Sequence, residues 1–186
     1  DSEELVKRLL RLVQIASNPK IVDTSYTREP GKMAVLRLLL QEIVSNGEKA
    51  IVWTCFTDNA DWLVAEIRAE WGAVKLHGKM SMPDRDRSVK RFLEDPQISF
   101  LVATPGAAKE GLTLTVANHV IFYDRSFSLD DYLQAQDRIH RISQTRTCFV
   151  YNIMMEDSID EWVDVLLKEK ELAAKLAAGD IEEEEN

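Results

Sequence analysis

The sequence predicts an α/β fold built on a mostly parallel sheet, because short apolar runs and helical patterns alternate along a chain of single-domain length. Helical patterns separate the runs at about 58–71, 83–94 and 129–141, and a last one covers 158–177. Strands buried on both faces of a parallel sheet produce continuous apolar runs of this length, joined by right-handed crossovers. The five runs are KAIVWT (49–54), AVKLH (73–77), ISFLVAT (98–104), HVIFYD (119–124) and TCFVYNIM (147–154).

Two helices are predicted ahead of the first strand. Residues 3–16 place leucines and valine on one stripe, and Asn18-Pro19 stops that helix. A polar stretch to Gly31 then indicates a linker. The second helix runs from Lys32 to Ser45 and ends at Asn46-Gly47, a favourable left-handed stop.

The composition is that of a globular protein, with 45% hydrophobic and 30% charged residues among 186 and a formal net charge of -9. The terminal GDIEEEEN predicts a solvated, disordered tail over 179–186. No apolar run approaches the roughly 18 residues of a membrane span, and the charged start DSEELVKRLL is not a signal peptide. The start also lacks Met, so we expect a piece of a longer protein. Cys55 and Cys148 lie in apolar runs, which is typical of a reduced, intracellular protein.

Arginines cluster near the end of this acidic chain, in DDYLQAQDRIHRISQTR from Asp130 to Arg146. Arg138 and Arg141 are spaced to share a helix face, so the local field there is positive. One interpretation is that they stabilise a transferring phosphate across an interface. The other is that they cap a helix C-terminus and pair with neighbouring aspartates.

The loop GAAKEGLT, from Gly106 to Thr113, nearly fits a phosphate-binding Walker loop. Such a loop needs lysine directly after its second glycine, where this chain has Leu112. Lys109 lies inside the loop instead. The chain therefore offers an anion a positive helix end but lacks the parts that would bind a nucleotide by itself.

The segment QAQDRIHRISQ (134–144) closely resembles the last signature of the Swi/Snf-type DNA-translocating ATPases, a branch of the second helicase superfamily. That pattern reads Q-A-x-D-R-x-H-R-I-G-Q, and only Ser143 departs from it. Further resemblance covers about residues 5–180, in the family's order: LVQIASNP, KAIVWTCFTDNADWL, LHGKMSMPDRDRSVKRFLEDP, LVATPGAAKEGLTLTVANHVIFYD and SIDEWVDVLLKEKELAAKLAAGD.

The resemblance implies the second, C-terminal RecA-like lobe of such a motor. It implies an N-terminal helix and linker over 1–31, the lobe over 32–157, a closing brace helix over 158–178 and the acidic tail. The full-length protein would be a DNA-dependent ATPase, whereas this fragment alone would be inactive.

The resemblance also assigns a nucleotide side. ATP with Mg²⁺ would be held mainly by the missing N-terminal lobe of the same polypeptide. The resemblance implies Arg141 as the finger on the γ-phosphate and Arg138 as its partner. A guanidinium suits this role because it is always charged and matches phosphate oxygens bidentately. Gln134 would orient the helix or touch the nucleotide. Gly111, with Glu110, would lie near the ribose, where a side chain at Gly111 would block close approach.

Double-stranded DNA would lie along the opposite rim, held by its backbone without sequence readout. The matched positions are Thr54, Thr57, Lys79 and Thr104, and Phe127 stands where the family often has a Trp pressed into the minor groove. The family's fifth motif usually reads S-T-R-A-G-G-L-G-I-N, but Pro105 follows Thr104 here, and we hypothesise that Lys109 replaces the absent arginine. Two simpler interpretations stay open: the two early threonines cap the helix that begins near Asp58, and Phe127 belongs to the core.

Two other functions remain open. The chain could be a stand-alone module that binds DNA or a partner protein without ATP, or a small hydrolase using Cys55 or a histidine. Because no Cys/His spacing indicates a metal site, none is predicted. The expected location is intracellular: the nucleus in a eukaryote, the cytoplasm or nucleoid in a prokaryote. The sequence does not indicate whether the target is a nucleosome, a stalled polymerase, a phage genome or bare DNA.

Overall fold

A computed structural model describes residues 1–108 and 111–179 of the chain. Lys109 and Glu110, and the predicted acidic tail from residue 180 onward, lie outside the described residues. Short 3₁₀ turns cover Pro19–Ile21 and Pro105–Ala108. The helices and strands, in chain order, are α1 (Ser2–Ser17), α2 (Lys32–Ser45), β1 (Ala50–Trp53), α3 (Thr57–Arg68), β2 (Gly72–Leu76), α4 (Met82–Glu94), β3 (Ile98–Ala103), β4 (His119–Phe122), α5 (Leu129–Asp137), β5 (Phe149–Asn152) and α6 (Ile159–Ala178).

The five strands form one sheet in the order β2-β3-β1-β4-β5. All of its pairings are parallel, so the predicted α/β class is confirmed. The central strand β1 pairs with β3 on one side and β4 on the other, with Ile51 opposite Leu101 and Val120. Parallel strands bring their carboxyl ends to one rim of the sheet. That rim carries the loops that begin at Thr54, His77 and Thr104.

Helices cover both faces of the sheet, as continuous apolar strands require. Successive residues of β1 point to opposite faces: Val52 belongs to the core under α2 and α3, whereas Ile51 and Trp53 belong to the core under α4 and α5. In β3, Phe100 belongs to the core under α2 and α3, and Leu101 belongs to the core under α4 and α5. The sheet is therefore the middle layer of three, as in RecA-like domains.

The C-terminal helix α6 is fixed to the rest of the domain by a buried ion pair. Lys32 Nζ lies 2.8 Å from Asp160 Oδ2, and both side chains are almost fully buried. The same amino group donates to the Tyr123 carbonyl at 2.7 Å, just beyond β4. Val13 of α1 packs against Val163 of α6 in a small apolar cluster. The first turn of α6 is thus tied both to the end of β4 and to α1.

Candidate functional site

Arg138 lies directly after α5 and is 5% exposed. Its carbonyl accepts the Leu114 N–H at 2.9 Å. Because this carbonyl bonds to a distant N–H rather than to one in a further helical turn, α5 ends at Asp137 and not at residue 141 as predicted. Burial first, and then the neighbouring Arg141 charge, lower the pKa of the Arg138 guanidinium, while Asp137 opposes them. A cation is therefore held where solvent does not stabilise it.

Arg141 is exposed, and its Nε donates to the Asp137 carbonyl at 2.9 Å. This contact is the helix cap that one interpretation predicted. The other half of that interpretation is not found: within residues 1–108 and 111–179, neither Arg138 nor Arg141 pairs with a carboxylate. In the same part of the chain the buried Nε of Arg138 has no hydrogen-bond partner. Two adjacent guanidinium groups are thus available to an anion.

The irregular segment after α5 is anchored by side-chain to backbone bonds. Gln144 Nε2 donates to the carbonyls of Ala117 at 2.8 Å and Ile139 at 3.1 Å. Arg146, the third arginine of the cluster, donates to the Val116 carbonyl at 2.6 Å. Gln144 and Arg146 therefore hold the arginine segment against the turn that precedes β4.

Gln134 lies exposed on α5. Gly111 is also exposed, in the segment that leads to Leu114, whose N–H contacts the Arg138 carbonyl. Gly111 has φ +67, a left-handed conformation that disfavours side chains. A Cβ built on it would meet no atom within 4 Å, so in this structure the reason for glycine is its backbone rather than crowding. Glu110, predicted beside it, lies outside the described residues.

At the rim of the sheet the structure corrects one predicted DNA contact. Thr54 is fully buried, and its hydroxyl donates to Asp124 Oδ2 at 2.6 Å. It therefore does not face a duplex, and it stabilises the loop from within. Thr57 begins α3 and is half-buried.

The other rim positions differ in how far they are exposed. Lys79 is largely exposed beside Asp58, at 3.2 Å. Thr104 is 7% exposed at the end of β3. Lys109, the hypothesised substitute for the absent arginine, lies outside the described residues. The rim therefore presents Lys79 to solvent and Thr57 in part.

A buried carboxylate joins this rim to α1, and no local sequence pattern indicates it. Besides Thr54, Asp124 accepts the Ser17 hydroxyl at 2.6 Å and the Cys55 N–H at 2.7 Å. Asn59 donates to both Ser17 and Thr54 at 3.1 Å. Asp124 thus fixes the loop after β1, which leads to Thr57, one of the predicted DNA contacts, at the start of α3.

Phe127 is half-buried and packs against the apolar cluster between α1 and α6. Lys170 of α6 donates to its carbonyl at 2.6 Å. The neighbouring Arg125 pairs with Asp164 of α6 at 2.8 Å. In this structure Phe127 therefore packs as the interpretation of it as a core residue predicts. Its contact with DNA stays a prediction.

Burial, followed by the nearby Asp124 charge, raises the pKa of the Cys55 thiol well above its usual value. Burial likewise raises the pKa of Cys148. Both shifts disfavour the thiolate that a nucleophile needs. No cluster of three possible metal ligands occurs in residues 1–108 and 111–179. Over the same residues, no helix is long and apolar enough to cross a membrane.

Comparison with known proteins gives a family match over most of the chain. Residues 31–143 match the helicase conserved C-terminal domain. The human lymphoid-specific helicase is 31% identical over 142 residues, which are 75% of this chain and 17% of that protein. The ATP-dependent helicase FUN30 of Saccharomyces cerevisiae is 33% identical over 144 residues, 76% of this chain and 13% of that protein. The chain thus spans less than a fifth of the length of these relatives.

A solved structure is similar over nearly the whole chain. The Sulfolobus solfataricus SWI2/SNF2 ATPase core in complex with dsDNA superposes with a TM-score of 0.77 at 30% identity. The likeness covers 95% of this chain and 38% of that one.

Proposed function

The chain belongs to the helicase conserved C-terminal domain family, in its Swi2/Snf2 branch, and we propose that it is the second motor lobe of an ATP-driven double-stranded DNA translocase. The observation that carries the proposal is the pair Arg138 and Arg141. They lie side by side at the end of α5, without a carboxylate partner among the described residues. Relatives named as helicases or chromatin-remodelling ATPases support the same activity.

Arg141 is the proposed finger. It is exposed, and the only hydrogen bond of its side chain in the described residues runs from Nε to a carbonyl, so its terminal nitrogens are available to a γ-phosphate. Arg138 adds a second, buried positive charge beside it. Because charge spreads over the equatorial oxygens of the transferring group, such an arginine contributes roughly 10³ to 10⁵ in rate, or about 4 to 7 kcal/mol.

ATP with Mg²⁺ is proposed to bind mainly to a first lobe of the same polypeptide. The loop from Gly106 to Thr113 has Leu112 where a Walker lysine is needed, so this lobe has no phosphate cradle of its own. Gln134, Gly111 and Glu110 are proposed to complete the nucleotide side when the cleft closes. This lobe alone should then bind ATP weakly and hydrolyse none, because lobe closure assembles the site.

DNA is proposed to lie along the rim of the sheet. Lys79 is exposed there on the turn after β2, and Thr57 is partly exposed at the start of α3. Thr104, Lys109 and Phe127 are the further proposed contacts. Such contacts would grip the backbone and leave sequence unread. The Sulfolobus ATPase core, which superposes on this chain and was solved in complex with dsDNA, supports double-stranded DNA as the ligand.

The test is ATP hydrolysis by the full-length protein, with and without double-stranded DNA. We expect Arg141→Ala to lower the DNA-stimulated turnover by roughly 10³-fold or more while nucleotide affinity and thermal stability stay near wild type. Arg8→Ala is the matched control, because Arg8 is exposed on α1, where it pairs with Glu4, and it has no proposed contact with ATP. Turnover of Arg141→Ala within tenfold of wild type would remove the proposed role.

A further inference from the structure

The edge of the sheet at β2 carries a basic groove of which the proposed motor function uses only Lys79. Residues 68–91 contain seven basic and three acidic side chains, in a chain whose formal net charge is -9. The groove lies between α3 and α4 beside β2 and encloses about 520 Å³. We call it the β2-edge groove. Its basic residues are Arg68, Lys75, Lys79, Arg87 and Arg91.

One lysine of the groove is already neutralised. Lys75 pairs with Asp61, whose Oδ1 also lies 2.8 Å from His77 Nε2. Burial raises the pKa of the Asp61 carboxyl, but the hydrogen bonds from Lys75 and His77 outweigh burial and leave that pKa below its usual value. The Asp61 carboxylate therefore stays charged, and Lys75 is not available to a ligand.

The arginines of α4 are in a different state. Arg87 pairs with Asp84 at 2.9 Å and remains 69% exposed, while Arg91 is 51% exposed with Asp95 at 3.9 Å. Exposed pairs of this kind contribute only about 0 to 1 kcal/mol, so a phosphate can replace the carboxylate at little cost. The two arginines are four residues apart and face the same side of the helix. They form a short row of exchangeable cations.

We propose that the β2-edge groove binds the phosphate backbone of double-stranded DNA, as a second contact continuous with Lys79 at the rim. Lys79 belongs both to the proposed rim contacts and to this groove, so a duplex on the rim has a basic surface to follow. Arginine presents a planar fork that matches phosphate oxygens. The proposal rests on the proposed function, because it takes DNA as the track.

The lining of the groove favours a nucleic acid over a protein. Only Val74 and Met80 are apolar among the lining residues, and the groove is open to solvent. Protein partners usually need an apolar centre with aromatic anchors. Protein–DNA interfaces are more polar and more positively charged. An acidic protein segment is the competing ligand that the experiment must separate.

The experiment measures binding of double-stranded DNA by the full-length protein over a range of salt concentrations. For the double variant Arg87→Gln with Arg91→Gln, we expect the slope of log K against log[salt] to fall in magnitude by about 2. Lys7→Gln with Lys90→Gln is the matched control. It also removes two positive charges, but Lys7 lies on α1 and Lys90 lines a different hollow, beside Leu76 and Val89. The control should keep the wild-type slope.

The possible outcomes separate the groove proposal from the motor proposal. If the Arg87 and Arg91 double variant keeps the wild-type slope while DNA still stimulates ATP hydrolysis, the groove proposal is overturned and the motor proposal stands. If DNA stimulates no hydrolysis by the wild type, the motor proposal fails instead. Poly-glutamate is the second probe: if the double variant loses poly-glutamate binding but not DNA binding, the ligand is an acidic protein segment and the proposal is overturned.

Discussion

Two regions of this domain bury cationic side chains in opposite surroundings. Beside α6, Lys32 lies within 2.8 Å of Asp160, and Arg125 lies within 2.8 Å of Asp164. At the end of α5, Arg138 is 5% exposed, yet no carboxylate pairs with it among residues 1–108 and 111–179. The first region has internal charge balance, whereas the second keeps an excess of positive charge.

The difference separates a structural cation from one with a proposed role in catalysis. A buried ion that has a partner contributes to one fixed packing, and loss of either partner leaves a buried charge uncompensated. A buried ion without a partner costs stability in the isolated lobe, and that cost is offset only when an anion arrives. Arg138 and Arg141 fit the second description, which is why we assign them to the nucleotide.

The largest effect on stability is expected at Lys32. Lys32→Met should lower the free energy of unfolding by about 3 to 5 kcal/mol, because Asp160 would stay buried without its cation. Chemical denaturation of the domain measures the change. The double variant Lys32→Met with Asp160→Leu should recover most of the loss, since no charge remains buried. A loss below about 1 kcal/mol for the single variant would mean that the pair is not the anchor of α6.

A smaller, pH-dependent effect is expected at Asp164. Burial raises the pKa of this carboxyl, but hydrogen bonds from Lys168 and Arg125 outweigh burial and leave the folded-state pKa below its usual value. A lowered folded-state pKa means that Asp164 contributes stability above the unfolded pKa of about 3.9, and that the contribution is lost as the pH falls further.

Asp164→Asn tests that sign. Its deficit in unfolding free energy relative to wild type should shrink as the pH is lowered from about 5 to about 3, because the wild type then loses the same contribution. Glu169→Gln, an exposed change on the same helix, should show no comparable trend. A deficit for Asp164→Asn that does not change with pH would contradict the assignment.

The smallest effect on stability is expected at Arg138. Arg138→Met should change the free energy of unfolding by no more than about 1 kcal/mol, because it replaces a desolvated cation and strands no carboxylate in the described residues. The Leu114 N–H would keep its bond to the carbonyl of residue 138. DNA-stimulated turnover of the full-length protein should fall sharply, with Arg138→Lys retaining more of it. A destabilisation as large as that of Lys32→Met would erase the contrast between the regions.

The sheet was predictable because its signal is local. Runs of apolar residues with few polar interruptions predict strands buried on both faces, and each predicted strand overlaps an observed one. The prediction of burial is wrong for β5, an edge strand that is mostly exposed. Helix ends were harder where a distant contact decides them. The helical pattern of α5 continues past Asp137, but the Leu114 N–H takes the Arg138 carbonyl, and the helix stops there.

The candidate site, too, was predictable only where its residues lie close together in the sequence. The arginine cluster was visible because its members are close in sequence and match a long family pattern. The burial of Thr54 was not, since its acceptor Asp124 lies 70 residues further along the chain. Ser17 and Asp124 are 107 residues apart. Periodicity and spacing describe neighbours in the sequence, so the two ends of such a contact carry no common signal.

The strand order also sets a constraint on how the chain is made. β1 is the first strand synthesised, but both of its neighbours, β3 and β4, come later. While the ribosome makes the intervening residues, the run from Ala50 to Trp53 has no strand to pair with. Apolar segments that remain unpaired during synthesis are prone to aggregate. We therefore expect the nascent chain to depend on chaperones until β4 has emerged, and to fold cooperatively after that point.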